Sequence, residues 1–156
     1  MATGERIKYI RNLRGLTQRE LGEKIGFSGR TADVRIAQYE SEKRMPKADL
    51  MAKLANALEV VPEALDVPNI DDYYGLIHTL FALEDTLGLT IRNIDGKLCL
   101  TLEEGNHRTG FVVSMLIDWV MMKNKLRSGE ITKEDYNEWR LNYKDSSLVN
   151  SEVKFE

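Results

Sequence analysis

The stretch LTQRELGEKIGFSGRTADVRIAQYESEKRMP, Leu16–Pro46, decides how the front of this chain folds. It opens like a capped helix, breaks at Gly26 and Gly29, and resumes as a second helix with arginines on its outside. Thr17 stands three residues before Glu20, the spacing of a capping box: the Thr hydroxyl accepts from one orphan N–H and the Glu reaches back to another. Leu21 and Ile25 supply the apolar side, Gly22 leaves room for a neighbouring helix, and Gly26 ends the helix. The next helix is expected from about Thr31 to Ser41. With Ile36 set inward and ~100° per residue, Ala32, Tyr39 and Glu40 fall within ~60° of it. Arg30, Thr31, Val34, Arg35 and Gln38 fall on the other side.

Working outward, Ile7, Ile10 and Leu13 recur at helical spacing with Arg6, Lys8, Arg11 and Arg14 around them, and Gly15 closes that helix. Arg11 and Arg14 are expected to face solvent. Pro46 is expected to open a fourth helix, with Leu50, Leu54, Ala57 and Leu58 on one side. A short fifth turn follows at VPEAL. The expectation for residues 3–65 is therefore a five-helix bundle.

Pro68 and an acid cluster mark residues 66–72 as a linker. Residues 73–144 read as a small α+β unit of helix, β-hairpin and two helices. Leu76, Leu80, Leu83 and Leu87 stripe its first helix. Ile91, Ile94, Leu98, Leu100 and Leu102 are the apolar residues of the hairpin, with Asp95–Gly96 as its turn. FVVSMLIDWVMM is apolar almost all round, and TKEDYNEWRLNYK is the last helix, with Thr132 and Asp135 as a capping-box variant. Residues 145–156 are expected to form a loose tail. The fold class expected overall is mainly α.

Composition narrows the function. The chain has 156 residues, a net charge of −3, one cysteine (Cys99) and two histidines (His78 and His107). That excludes an intrachain disulfide and argues against a zinc or histidine-rich metal site; no cofactor is expected. No apolar run approaches the ~20 residues of a membrane span, and MATGERIKYI has no signal-peptide core, so a bacterial-type cytoplasm is expected. Residues 1–65 hold twelve Lys/Arg against nine Asp/Glu, a net +3, and residues 66–156 hold ten against sixteen, a net −6. A basic front and an acidic back suggest two parts with different partners.

Residues 3–65 resemble the helix-turn-helix domain of the Cro-like and phage-repressor (Xre-type) family. The likeness is carried by L-T-Q-x-E-L-G at Leu16–Gly22, by Ile36 three residues before Tyr39–Glu40, and by Lys43-Arg44-x-Pro46. It implies a double-stranded-DNA-binding transcription regulator whose third helix enters the major groove; the residues themselves offer no catalytic set, and no enzyme is expected. The outward residues suit that role: arginine can fork to guanine, glutamine to adenine, and a methyl-bearing side chain can touch thymine. Arg30, Thr31, Val34, Arg35 and Gln38 are the candidate base-reading residues. Asp33 could accept from a cytosine amino group or cap the helix.

Thr17, Gln18, Ser28, Lys43 and Arg44 are the candidate phosphate contacts. By the resemblance, Gln18 touches the DNA backbone or braces the third helix. Lys43 and Arg44 clamp the far strand, complement the helix dipole, or both. One departure stands out: about four residues more than the family pattern lie between Gly26 and Tyr39. They add a turn to the third helix, or they lengthen the loop and push Ser28, Gly29 and Arg30 toward the phosphates.

In the second part, the apolar helix is either a homodimer interface, through Val112, Met115, Trp119 and Met122, or a central helix covered on both sides. Dimerisation would raise affinity through effective concentration and set half-sites about 34 Å apart on a two-fold symmetric operator. An antitoxin-like protein, anchored to DNA and binding a protein partner, is the alternative. This part is similar to the mixed C-terminal regions that follow such domains in regulators from bacterial mobile elements. A self-cleaving enzyme would need a Ser–Lys pair. Ser114 and Lys123, nine residues apart on one helix, stand ~13 Å apart, too far for proton transfer.

Overall fold

The computed structural model of the chain describes residues 2–68, 72–103 and 107–143. The loose tail expected at 145–156 and the middle of the expected linker lie outside them. The described residues are mainly helical and divide into two units: 2–68 and 72 with 140–142, and 73–103 and 107–139 with 143.

In the first unit, α1 (Thr3–Leu13), α2 (Gln18–Lys24), α3 (Arg30–Glu40) and α4 (Ala48–Leu58) are followed by a 3-10 turn, Pro62–Ala64. Their inward side chains meet in one core of Ile7, Ile10, Leu21, Ile36, Leu54, Leu58 and Leu65. Pro46 does not open α4. The N–H groups of Leu50 and Met51 both donate to the Lys47 carbonyl, so Lys47 is the N-cap and Pro46 precedes it. One core residue comes from far along the chain. Leu141 is buried among these side chains, and its carbonyl accepts from the Val61 N–H at 3.2 Å.

The second unit holds α5 (Tyr73–Leu87), β1 (Leu89–Ile94), β2 (Lys97–Leu102), α6 (His107–Ser128) and α7 (Lys133–Leu141), whose last two residues group with the first unit. β1 and β2 pair antiparallel, Leu89 opposite Leu102 and Ile94 opposite Lys97. Asp95 and Gly96 both have positive φ, 51° and 78°. That is the mirror-image turn whose twist matches a two-residue hairpin. Thr132 and Asp135 form a full reciprocal cap at the start of α7: the Thr132 N–H donates to the Asp135 carboxylate and the Asp135 N–H to the Thr132 hydroxyl, both at 3.0 Å.

Candidate nucleic-acid interface

α2 and α3 are held at a fixed, close approach. The Thr17–Glu20 capping box starts α2: the Glu20 N–H donates to the Thr17 hydroxyl at 3.1 Å, and the Thr17 N–H donates to the Glu20 carboxylate at 2.7 Å. These bonds hold the Glu20 carboxyl below its ordinary range, the Thr17 N–H first and its hydroxyl second. Gly22 sits against α3 so tightly that a Cβ there would lie 2.7 Å from the Ala32 carbonyl oxygen. A Cβ at Gly4 of α1 would meet the carbonyl oxygens of Tyr39 and Glu40 in the same way.

The residues between Gly26 and Tyr39 divide between loop and helix. Phe27 to Gly29 form the turn, and Arg30 onward adds to the front of α3. Gly29 is its N-cap with φ +60°, a left-handed backbone that glycine adopts without strain. The Ser28 carbonyl accepts from the Thr31 hydroxyl at 2.6 Å and from its N–H at 3.4 Å, which fastens the turn to the helix.

Glu40 ties three helices together. Its carboxylate accepts from Arg11 Nε of α1 at 2.5 Å, from Arg11 Nη2 at 3.1 Å, and from Gln18 Nε2 of α2 at 2.7 Å. Arg11 Nη1 also donates to the Leu16 carbonyl at 2.6 Å. Arg11 is thus buried, contrary to the expectation that it faces solvent, because the buried acid on α3 needs a cation. Arg14 is half-buried, its Nε donating to the Leu58 carbonyl at 2.8 Å to close the end of α4. Gln18 braces α3 with its side chain, one of the two roles the resemblance implies for it.

With the inward side of α3 locked through Ala32, Ile36, Tyr39 and Glu40, the opposite side is open. Arg30, Thr31, Asp33, Val34 and Arg35 are exposed and Gln38 is half-buried. Val34 is 51% exposed, an apolar side chain with no core to serve. The Arg35 guanidinium lies over the Phe27 ring, 4.6 Å from its centroid. A stacked guanidinium keeps its N–H edges clear for a second partner. Phe27 itself packs against the core and donates its N–H to the Gly22 carbonyl at 2.9 Å. Its role was missed at the sequence level; an aromatic residue at the break between two helices is the signal that could have raised it. The Asp33 carboxylate accepts from the Val34 N–H at 2.9 Å.

Around this side, Thr17, Ser28, Lys43 and Arg44 are exposed and Gln18 is half-buried. The Arg44 N–H donates to the Gln38 carbonyl at 3.2 Å, so the basic pair follows directly from the end of α3. Arg19 and Glu23 pair along α2 at 2.8 Å in full solvent.

The remaining sequence candidates lie in the second unit. Met115 and Trp119 are exposed on α6, and Val112 and Met122 are half-buried. Trp119 Nε1 donates to the Tyr136 hydroxyl at 2.6 Å, and the Tyr143 hydroxyl donates to the buried Asp118 carboxylate at 2.9 Å. Ser114 donates to the Gly110 carbonyl, and Lys123 lies over the Tyr136 ring. Among the described residues no group of three or more His, Cys, Asp or Glu could hold a metal ion. No helix of the described residues is long and apolar enough to cross a membrane.

Residues 7–65 match the family model described as Helix-turn-helix. Among solved structures, the chain is similar to the P22 c2 repressor protein in complex with synthetic operator 9T in the presence of Tl+. They are 29% identical over 44% of this chain and 98% of the other, with a TM-score of 0.39. No curated protein matches the chain.

Proposed function

We propose that this chain, whose residues 7–65 match the helix-turn-helix family model, is a DNA-binding transcription regulator of the Cro- and phage-repressor-like kind, a repressor acting as a dimer on a two-fold symmetric operator. The open side of α3 carries the reading. Arg30, Thr31, Val34 and Arg35 project from a helix whose opposite side is fixed by burial and by the Glu40 network. They and Gln38 read base edges in the major groove. Thr17, Gln18, Ser28, Lys43 and Arg44 meet the flanking phosphates and set the register. Residues 73–144 hold the dimer together, with Val112, Met115, Trp119 and Met122 of α6 in its seam.

Selection of bound duplexes from random DNA, followed by titration at several salt concentrations, tests this. A symmetric site and an affinity that falls steeply with salt, as counterions leave the phosphates, are expected. Arg35→Ala should lose about 1–3 kcal/mol at one base pair and relax preference there. No duplex retained at low salt, or retention indifferent to salt, would end the proposal. A second reading, a DNA-anchored protein that captures another protein, draws on the exposed apolar side chains of α6, Phe111 and Val120 among them. A stoichiometric heterologous partner covering α6 in the purified protein would favour it.

A further inference from the structure

The hairpin of the second unit turns its apolar side to water. The register sets Leu89 opposite Leu102, Ile91 opposite Leu100 and Asn93 opposite Leu98. Alternate residues share a side. Leu89, Ile91, Leu98, Leu100 and Leu102 therefore stand on one side with Asn93, and Thr90, Arg92, Lys97, Cys99 and Thr101 on the other with Ile94. Such alternation belongs to a strand pair with one buried and one wet side. Yet Leu98 is 75% exposed, Ile91 61% and Leu100 57%. Two apolar grooves share Leu89 and Leu100. One runs to Ile77, Leu80 and Phe81 of α5; the other, of about 610 Å³, runs to Val113, Leu116 and Val120 of α6. Among the described residues of this unit, Tyr136 is the one large apolar side chain that is buried.

We propose that a second copy of this chain covers this side, hairpin against hairpin about a two-fold axis, so that each copy supplies the core the other lacks. The proposal rests on the dimeric reading above and names its surface, which is the hairpin floor rather than α6 alone. Area supports a protein-sized occupant. Six side chains such as Ile77, Phe81, Ile91, Leu98, Leu100 and Leu116, at roughly half exposure, leave on the order of 600 Å² of apolar surface, beside ~800 Å² per partner, polar rim included, in a standard interface. A small molecule in the 610 Å³ groove would leave Ile91 and Leu98 bare, because neither lines it. Residues 144–156 carry four large apolar side chains, Leu148, Val149, Val153 and Phe155, too few for the whole face. Glu84, at the edge of the α5 groove, is the one charged residue that lines either groove, so the face calls for an apolar rather than a charged partner. A self-complementary sheet side packing on its own copy at ~10 Å is the isologous solution.

Cys99 supplies an internal control, because it stands on the opposite side of the hairpin. Full-length protein is sedimented at micromolar concentration and treated with a short bis-maleimide, as wild type and as Leu98→Cys in a Cys99→Ser background. A dimer is expected, cross-linked through Leu98→Cys and not through Cys99. Leu98→Glu, at a side chain already exposed within its own copy, should weaken the dimer at least tenfold while α3 still recognises a half-site. A monomeric wild type overturns the proposal. So does a dimer that Leu98→Glu leaves intact and that Leu98→Cys fails to cross-link. A monomer whose Leu98→Cys thiol resists a monofunctional maleimide overturns it too, because the cover then lies within one copy. A cross-linked dimer that binds no duplex would sink the DNA reading and leave this surface standing.

Discussion

Replacing Glu40 by alanine should destabilise the first unit by about 3 kcal/mol. The side chains of Arg11 and Glu40 are 9% and 3% exposed. Glu40→Ala therefore strands a guanidinium in the interior, and breaking a buried pair by removing one partner costs about 3–5 kcal/mol. The lower end applies because Arg11 Nη1 keeps its bond to the Leu16 carbonyl. Gln18 loses its acceptor as well, so α2 loosens against α3 along with α1. Replacing both partners, as Arg11→Met with Glu40→Leu, should recover most of the loss, since an apolar pair of similar volume needs no partner charge. Both tryptophans, Trp119 and Trp139, lie in the second unit, so their fluorescence does not follow this event. Native-state hydrogen exchange of α1 and α3 amides does. A fall of roughly a hundredfold in protection is expected for Glu40→Ala, about a tenfold change for each 1.4 kcal/mol. A loss under ~1 kcal/mol, the range of a solvent-exposed pair, would refute the argument.

Gly22→Ala should cost about 1–3 kcal/mol as α3 is forced from α2, because the atoms in the way are Ala32 backbone rather than a flexible side chain; thermal unfolding and duplex affinity should fall together. Phe27→Leu keeps the apolar packing and removes the ring beneath Arg35. Affinity should drop about three-fold, from roughly 0.5–1 kcal/mol of cation–π attraction, with Phe27→Tyr neutral. A double-mutant cycle with Arg35→Ala that proves additive would refute the coupling. Glu20 and Asp135 both titrate below their ordinary values of 4.5 and 3.8, held there by Thr17 and by Thr132. Their caps are therefore fully present at neutral pH and are lost as pH falls through the depressed folded values. Glu20→Gln should flatten the acid limb of a helicity titration, and an unchanged limb would count against the cap.

Local periodicity made α3 legible. One inward residue, Ile36, placed Ala32, Tyr39 and Glu40 correctly because helical phase survives over a few residues. The caps at Thr17 and Thr132 were readable for the same reason, as their partners lie three residues away. Arg11 was misread because its partner is 29 residues distant. The clue was present all the same, since an acid on the inward side of α3 demands a buried cation. Spacing could count the residues between Gly26 and Tyr39 but could not divide them between turn and helix; the positive φ of Gly29 does that. Strand alternation identified the apolar residues of the hairpin, but it carries no information on what covers them. Leu141 was beyond reach, because nothing local to it points at a core assembled from residues 7–65.

That leucine has a consequence for biosynthesis. The core of the first unit is complete only when Leu141, 76 residues beyond Leu65, has left the ribosome. At about 5–20 residues per second, the stretch from Leu65 to Leu141 takes roughly 4–15 s to make. For that interval the nascent bundle carries a vacancy where the leucine belongs and the Val61 N–H waits for its carbonyl. The order of translation thus delays the mature state of the front of the molecule until the back has been made.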